Sequence, residues 1–255
     1  MTAAVLIALF TWWFSTGAIL WAVSRGAGRT AVIASAPIAM IALATLIWAS
    51  GQTGAIAAYI GFGMAILIWG WFELAFLTGV ITGPVTRPCP PGLNGPGHFL
   101  MAWGTVAHHE LALLFTAILL GTLTWAAPEQ TGLWTFLVLF FARISAKLNV
   151  YLGVPNLSHE MMPGPVAHMK SYFATRRMNW LFPVSVTFLT VGVVIWIARA
   201  VDNPNLMVGH TLLATLTALA LLEHWLMVLP VRDSALWQWM TKRNDGRPAG
   251  AEPAD

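Results

Sequence analysis

Eight charged or imidazole residues lie well inside the apolar stretches of this 255-residue chain: Glu73, the consecutive His108, His109 and Glu110, Arg143, Lys147, and the consecutive Glu223 and His224. A charge in hydrocarbon costs about 2.5–3.5 kcal/mol even on a lenient insertion scale, so such groups persist facing a partner, a cavity or a ligand. Three chemistries are open to them. Glu73, His108, His109, Glu110, Glu223 and His224 supply the three carboxylates and three imidazoles from which a di-iron or zinc site is built. His109 or His224 could instead be the axial ligand of a haem or a magnesium tetrapyrrole, bound among Trp, Phe and small residues. The third chemistry is a structural ion network. Arg143 and Lys147 are four apart and share a helix face, and Glu73, Glu110 and Glu223 are the carboxylates available to them.

Spacing weighs on the metal reading. Carboxylate di-iron bundles use Glu-x-x-His, in which i and i+3 share a face, whereas adjacent residues point about 100° apart. His108, His109 and Glu110 therefore cannot all face one centre.

The elements that must position these groups are membrane helices. The composition is 58% hydrophobic and 9% charged, with mean hydropathy +0.71. Soluble domains carry about 25% charged residues, which excludes a water-soluble fold. A hydrocarbon core needs about 20 apolar residues per helix. Seven runs qualify: residues 3–23, 30–50, 55–81, 99–125, 134–154, 180–199 and 206–230. None alternates in the manner of an outer-membrane barrel, so the expected fold is an all-α, seven-transmembrane-helix bundle. The first run lacks preceding basic residues and exceeds a signal h-region, so it reads as a retained helix.

Alternate loops hold ten Lys or Arg against one, the lone Arg199. The positive-inside rule then predicts a periplasmic N-terminus and a cytoplasmic C-terminus in a bacterial inner membrane. The basic excess is a matter of topology, and no nucleic-acid partner is expected. Measured from the cytoplasmic run ends, Glu73 lies about 13 Å deep, His109 about 15 Å, Arg143 about 16 Å, and Lys147 and Glu223 about 10 Å. All fall in one leaflet.

Residues 1–240 read as a single transmembrane domain and 241–255 as a disordered polar tail. The Pro- and Gly-rich loop 82–98 disfavours helix. Residues 155–179 mix Met, Tyr and Phe with His159, Glu160, His168, Lys170, Arg176 and Arg177, which suits a segment lying among lipid headgroups. Trp125, Trp134, Trp180, Trp237 and Trp239 read as interface anchors. The deeper Trp69, Trp71, Trp103 and Trp225 read either as core or as the wall of a pocket for a flat hydrophobic ligand. The single cysteine, Cys89, has no partner for an internal disulfide. A transporter is disfavoured, since no repeat or pair of broken helices is evident.

The string KLNVYLGVPNL, within residues 147–173, resembles the PuhE-type photosynthetic complex assembly proteins of purple bacteria. Length, seven spans and the His-His-Glu triplet agree with that family, while His159 stands where the family carries an acidic residue. The resemblance implies an assembly factor for the photosynthetic reaction centre and light-harvesting complex, partnered by their subunits and handling bacteriochlorophyll. It carries over no catalytic residue. The competing expectation is a metal-dependent membrane enzyme acting on a tetrapyrrole or quinone.

Overall fold

A computed structural model describes residues 1–156 and 162–229. His159, Glu160, Trp237, Trp239 and the tail 241–255 lie outside the described residues. The α-helices are α1 (Thr2–Ser24), α2 (Arg29–Ser50), α3 (Ala55–Leu77), α4 (Gly95–Gly104), α5 (Ala107–Thr124), α6 (Thr131–Leu152), α7 (Leu181–Asp202) and α8 (Met207–Leu226). Short 3-10 segments at Gly164–Tyr172 and Pro204–Leu206 precede α7 and α8 respectively. No strand occurs among the described residues. Seven segments are long and apolar enough to cross a membrane: α1, α2, α3, α5, α6, α7, and α8 with its preceding turn. The chain is an all-α, multi-pass membrane protein. Its outward surface agrees: Phe115, Ile118, Phe188, Val194 and Ile197 are exposed, as lipid permits and water does not.

Helix α3 is the hub, packing on α1, α2, α6 and α8. Lipid gives helices no hydrophobic reason to associate, so close backbone approach between small residues must supply much of the packing. Gly61 and Gly132 provide it between α3 and α6. A Cβ on Gly61 would lie 3.1 Å from the Gly132 nitrogen, and one on Gly132 would lie 2.8 Å from Leu46 Cγ. Around this contact Leu46, Ala65, Leu113, Leu120, Leu133 and Phe136 form a core joining α2, α3, α5 and α6.

Three expectations are corrected. The fourth apolar run is two helices, with α4 ending at Gly104 and α5 beginning at Ala107. The loop before α4 is tucked into this break: Val85 N–H donates to Gly104 O at 3.0 Å and His109 N–H to Thr82 O at 2.9 Å. The His-His-Glu triplet thus occupies the first turn of α5 and is not mid-span. Similarly, α3 ends at Leu77, because apolar Val80 and Ile81 belong to the turn at Gly79 (φ +77°). Both changes make the charges shallower while leaving them at one end of the bundle.

The third correction concerns residues 162–173. Val166 and Met169 are buried against Phe76, with Met162 and Phe173 alongside, so this segment plugs the end of the bundle. Its apolar side chains have protein to bury against, which a headgroup segment lacks.

The α6–α7 corner follows the chemistry of its residues. Gly153 takes φ +110° and ends α6, and Pro155 keeps the chain out of helix. Asn179 then fastens the corner. Its Nδ2 donates to Asn149 O at 3.1 Å and Gly153 O at 3.0 Å, while its Oδ1 accepts from Leu181 and Phe182 N–H at 2.9 and 3.1 Å. One side chain thereby bridges carbonyls at the end of α6, of which that of Asn149 also accepts from Gly153 N–H, and free N–H groups at the start of α7. Nearby, Asn156 N–H donates to Met227 O at 3.1 Å, tying the corner to the end of α8.

Candidate functional site

The charged residues meet at the end of the bundle that carries α4. Arg143 on α6 donates to Glu73 on α3, Nη2 to Oε2 at 2.7 Å. One turn along α6, Lys147 pairs with Glu110 on α5. The ring of Phe76 lies beneath both cations, 5.9 Å from the Arg143 guanidinium carbon and 4.6 Å from Lys147 Nζ. Two ion pairs thus bind α3, α5 and α6, three of the spans that the ion-network reading would tie together.

The exposures within each pair are unequal. The Arg143 side chain is 34% exposed against 12% for Glu73, and Lys147 is 24% against 4% for Glu110. In each pair the cation is the more exposed member and the carboxylate the more buried one.

The imidazoles are distributed differently from the metal expectation. His108 is exposed in the first turn of α5, while its neighbours His109 and Glu110 are buried. The 100° offset between adjacent residues produces this division. His109 is wedged against Phe76, ring centroids 4.6 Å apart, and neither of its nitrogens has a partner among the described residues. One oxygen each of Glu73 and Glu110 is likewise without a hydrogen bond. His224 is held at both nitrogens: Nδ1 donates to Ala220 O at 2.8 Å, and Nε2 meets Ser145 Oγ at 2.9 Å. Glu223 accepts from Trp12 Nε1 at 2.9 Å. Among the described residues no three His, Cys, Asp or Glu side chains converge as a metal would require.

Beside the ion pairs lies a cavity of about 530 Å³ bounded by α1, α3, α4, α6, α8 and the 162–173 segment. Small-molecule sites commonly span roughly 300–1,000 Å³. Glu73, Glu110, Arg143, Lys147 and Glu223 line it, whereas His109 and His224 do not. The rest of the wall is largely apolar and aromatic, including Trp12, Trp69, Phe99 and Trp103. Of the deep tryptophans, Trp69 and Trp103 therefore belong to a pocket wall, while Trp71 donates to Val32 O at 3.0 Å and Trp225 packs on Phe182.

Sequence reasoning missed the polar rim of this cavity. Tyr151 and Tyr172 line it, and the Tyr151 hydroxyl is hydrogen-bonded to His98 Nδ1 at 3.0 Å. Tyr172 donates to Arg87 O at 3.1 Å. Burial and, secondarily, the neighbouring Cys89 push its phenol above the ordinary value, against a smaller opposing effect of Arg87, so it stays a neutral donor. A signal existed: the chain has three tyrosines, and two fall within residues 147–173.

A family model described as "Protein of unknown function (DUF3623)" matches residues 1–247. The chain is also similar to a protein of Rhodobacter capsulatus described as an uncharacterized 30.4 kDa protein in the puhA 5' region. The two are 45% identical over 243 residues, covering 92% of this chain and 89% of the relative. No solved structure matches it.

Proposed function

This chain belongs to the DUF3623 family, and we propose that it is an inner-membrane assembly factor for photosynthetic reaction-centre and light-harvesting complexes. It acts by holding a lipophilic molecule, bacteriochlorophyll or a relative of it, in the cavity between α1, α3, α4, α6 and α8. The observation that carries the reading is the cavity itself: a large, mostly apolar and aromatic cavity in a membrane bundle, with charged residues of α3, α5, α6 and α8 in its lining. The photosynthetic reading is supported by the relative described as lying in the puhA 5' region and by the resemblance carried by KLNVYLGVPNL.

Reaction-centre or antenna subunits are the protein partners in this reading. The α4 end faces the cytoplasm and the N-terminus the periplasm, supported by the ten-to-one excess of Lys and Arg on alternate loops. Among the described residues the charged groups form ion pairs and no three ligating side chains converge, which supports the binding reading.

The test is deletion of the gene in its own host. Reaction-centre and antenna levels, measured by membrane absorption spectra and immunoblot, should fall while mature bacteriochlorophyll is still made. Normal complex levels would overturn the proposal. A stalled pigment precursor would transfer support to the enzyme reading.

A further inference from the structure

Helix α4 walls part of the cavity with a single layer. Phe99, Ala102 and Trp103 line it, whereas Leu100, on another face of the same turn, is outside the lining and 65% exposed. Among the described elements α4 packs extensively only on the 3-10 segment Gly164–Tyr172, while α3 packs on α1, α2, α6 and α8. A ten-residue helix with so little packing belongs to the low end of local stability.

Both of its ends are jointed. Before it, Gly92 and Gly95 take φ +76° and +64°, and a Cβ on either would meet nothing within 4 Å. Open space around two such glycines lets the chain change direction without displacing a neighbour. After it, the helix breaks at Thr105 and Val106 before α5 starts. This second joint is pinned. Val85 N–H donates to Gly104 O at 3.0 Å, and a Cβ on Gly83 would strike the same carbonyl, so loop and break lie backbone to backbone. Short stretches at element ends are where hinges absorb a change of direction.

The contacts that hold α4 down lie near its other end. His98 Nδ1 and the Tyr151 hydroxyl of α6 are 3.0 Å apart. The His98 ring lies 5.4 Å from that of Tyr151 and 5.8 Å from that of Tyr172, and Phe99 meets Tyr151 edge-on at 5.5 Å. Tyr172 is itself tied to the loop before α4, through its bond to Arg87 O and through Cys89 N–H donating to Ser171 Oγ at 2.8 Å.

We infer that α4 is a gate on the cavity, swinging outward about the Gly104–Val106 break and held shut by the His98–Tyr151 hydrogen bond. Opening parts α4 from α6 and leaves a side passage between the cavity and the surrounding leaflet, wide enough for a flat lipophilic molecule. The gate governs access to the site whose ligand-holding role is proposed above, and it rests on that reading only for its purpose.

Its test needs no ligand. In a Cys89→Ser background, Ala146→Cys places a thiol in the cavity lining, and its rate of reaction with pyrene maleimide in phosphatidylcholine nanodiscs reports how often the gate opens. Tyr151→Phe keeps the ring and removes the hydroxyl, so it should raise that rate roughly three- to tenfold, the weight of one hydrogen bond. Hydrogen exchange should quicken in α4 and stay unchanged in α5. Ala65→Cys, in the fully buried core, reports general loosening and should remain unreactive in both proteins. An Ala146→Cys rate that Tyr151→Phe leaves unchanged overturns the inference, as does a matching rise at Ala65→Cys. Labelling as fast as a free thiol before the change means that the cavity stands open, and no labelling in either protein means that α4 does not move; both sink the gate. These rates are read on purified protein and the deletion phenotype in cells, so gate and assembly role can fail independently.

Discussion

Ser145 on α6 and His224 on α8 are joined Oγ to Nε2 at 2.9 Å, and the Ala220 carbonyl occupies the remaining ring nitrogen at 2.8 Å. A carbonyl only accepts, so Nδ1 carries the hydrogen and, in the neutral ring, Nε2 accepts from the serine hydroxyl. His224 is a cross-link between two spans. Ser145→Ala should destabilise the bundle by about 1 kcal/mol, and His224→Leu by roughly 1–3 kcal/mol through the orphaned serine and lost packing. Thermal unfolding in detergent measures both.

The Glu73–Arg143 pair makes a second prediction. Arg143→Leu leaves Glu73 without its cation in a mostly buried setting and should lower stability measurably. Adding Glu73→Gln should restore much of the loss, giving a coupling energy of about 1–3 kcal/mol. A double-mutant cycle on unfolding midpoints checks it. Because Arg143 is partly exposed to the cavity, the value should fall toward the lower end.

Packing at Gly132 leaves no room for a methyl group. Its Cβ would lie 2.8 Å from Leu46 Cγ and 3.0 Å from Gly61 O, neither of them the yielding end of a flexible chain. Gly132→Ala should therefore cost about 1–3 kcal/mol. The same assay should show little effect for Gly121→Ala, where a Cβ meets nothing within 4 Å.

Asn179 satisfies four backbone groups at once. Asn179→Ala removes all four bonds and should destabilise the protein by roughly 1–3 kcal/mol, less if water enters the corner. Hydrogen exchange at Leu181 and Phe182 should accelerate, since their N–H groups lose their acceptor.

Orientation is tested by reporter fusions. An alkaline phosphatase reporter in the Gly51–Gly54 turn should be active, as expected outside the cytoplasm, and one in the loop before α4 inactive. The reverse pattern would invert the topology inferred from loop charges.

The spans were legible because hydropathy and length suffice to find them, as residues 30–50 and α2 show by nearly coinciding. The break before α5 was not, since Trp103, Val106 and Ala107 keep the run apolar while the tucked loop at Thr82 and Val85 makes the turn. Hydropathy does not register a helix break. At the site, charge balance foretold that Arg143 and Lys147 would find carboxylates, and the offset between neighbours foretold that the triplet would split. Which glutamate met which cation depended on helix rotation about α6, to which single-residue spacing is blind. The cavity was the least visible feature. Trp12, Trp69 and Trp103 come from three helices, and in a chain with 14 tryptophans nothing local separates a pocket wall from lipid-facing surface.

The pairing across α3 and α6 also bears on how the chain is made. Seventy residues separate Glu73 from Arg143, so during synthesis the acidic span reaches the translocon well before its basic partner. Until then Glu73 lacks the cation that it is paired with in the finished bundle. Arrival of α6 supplies that charge and lets the earlier helix settle. The order of insertion is thereby coupled to the assembly of the bundle, and a chain truncated before Arg143 should leave α3 only loosely anchored.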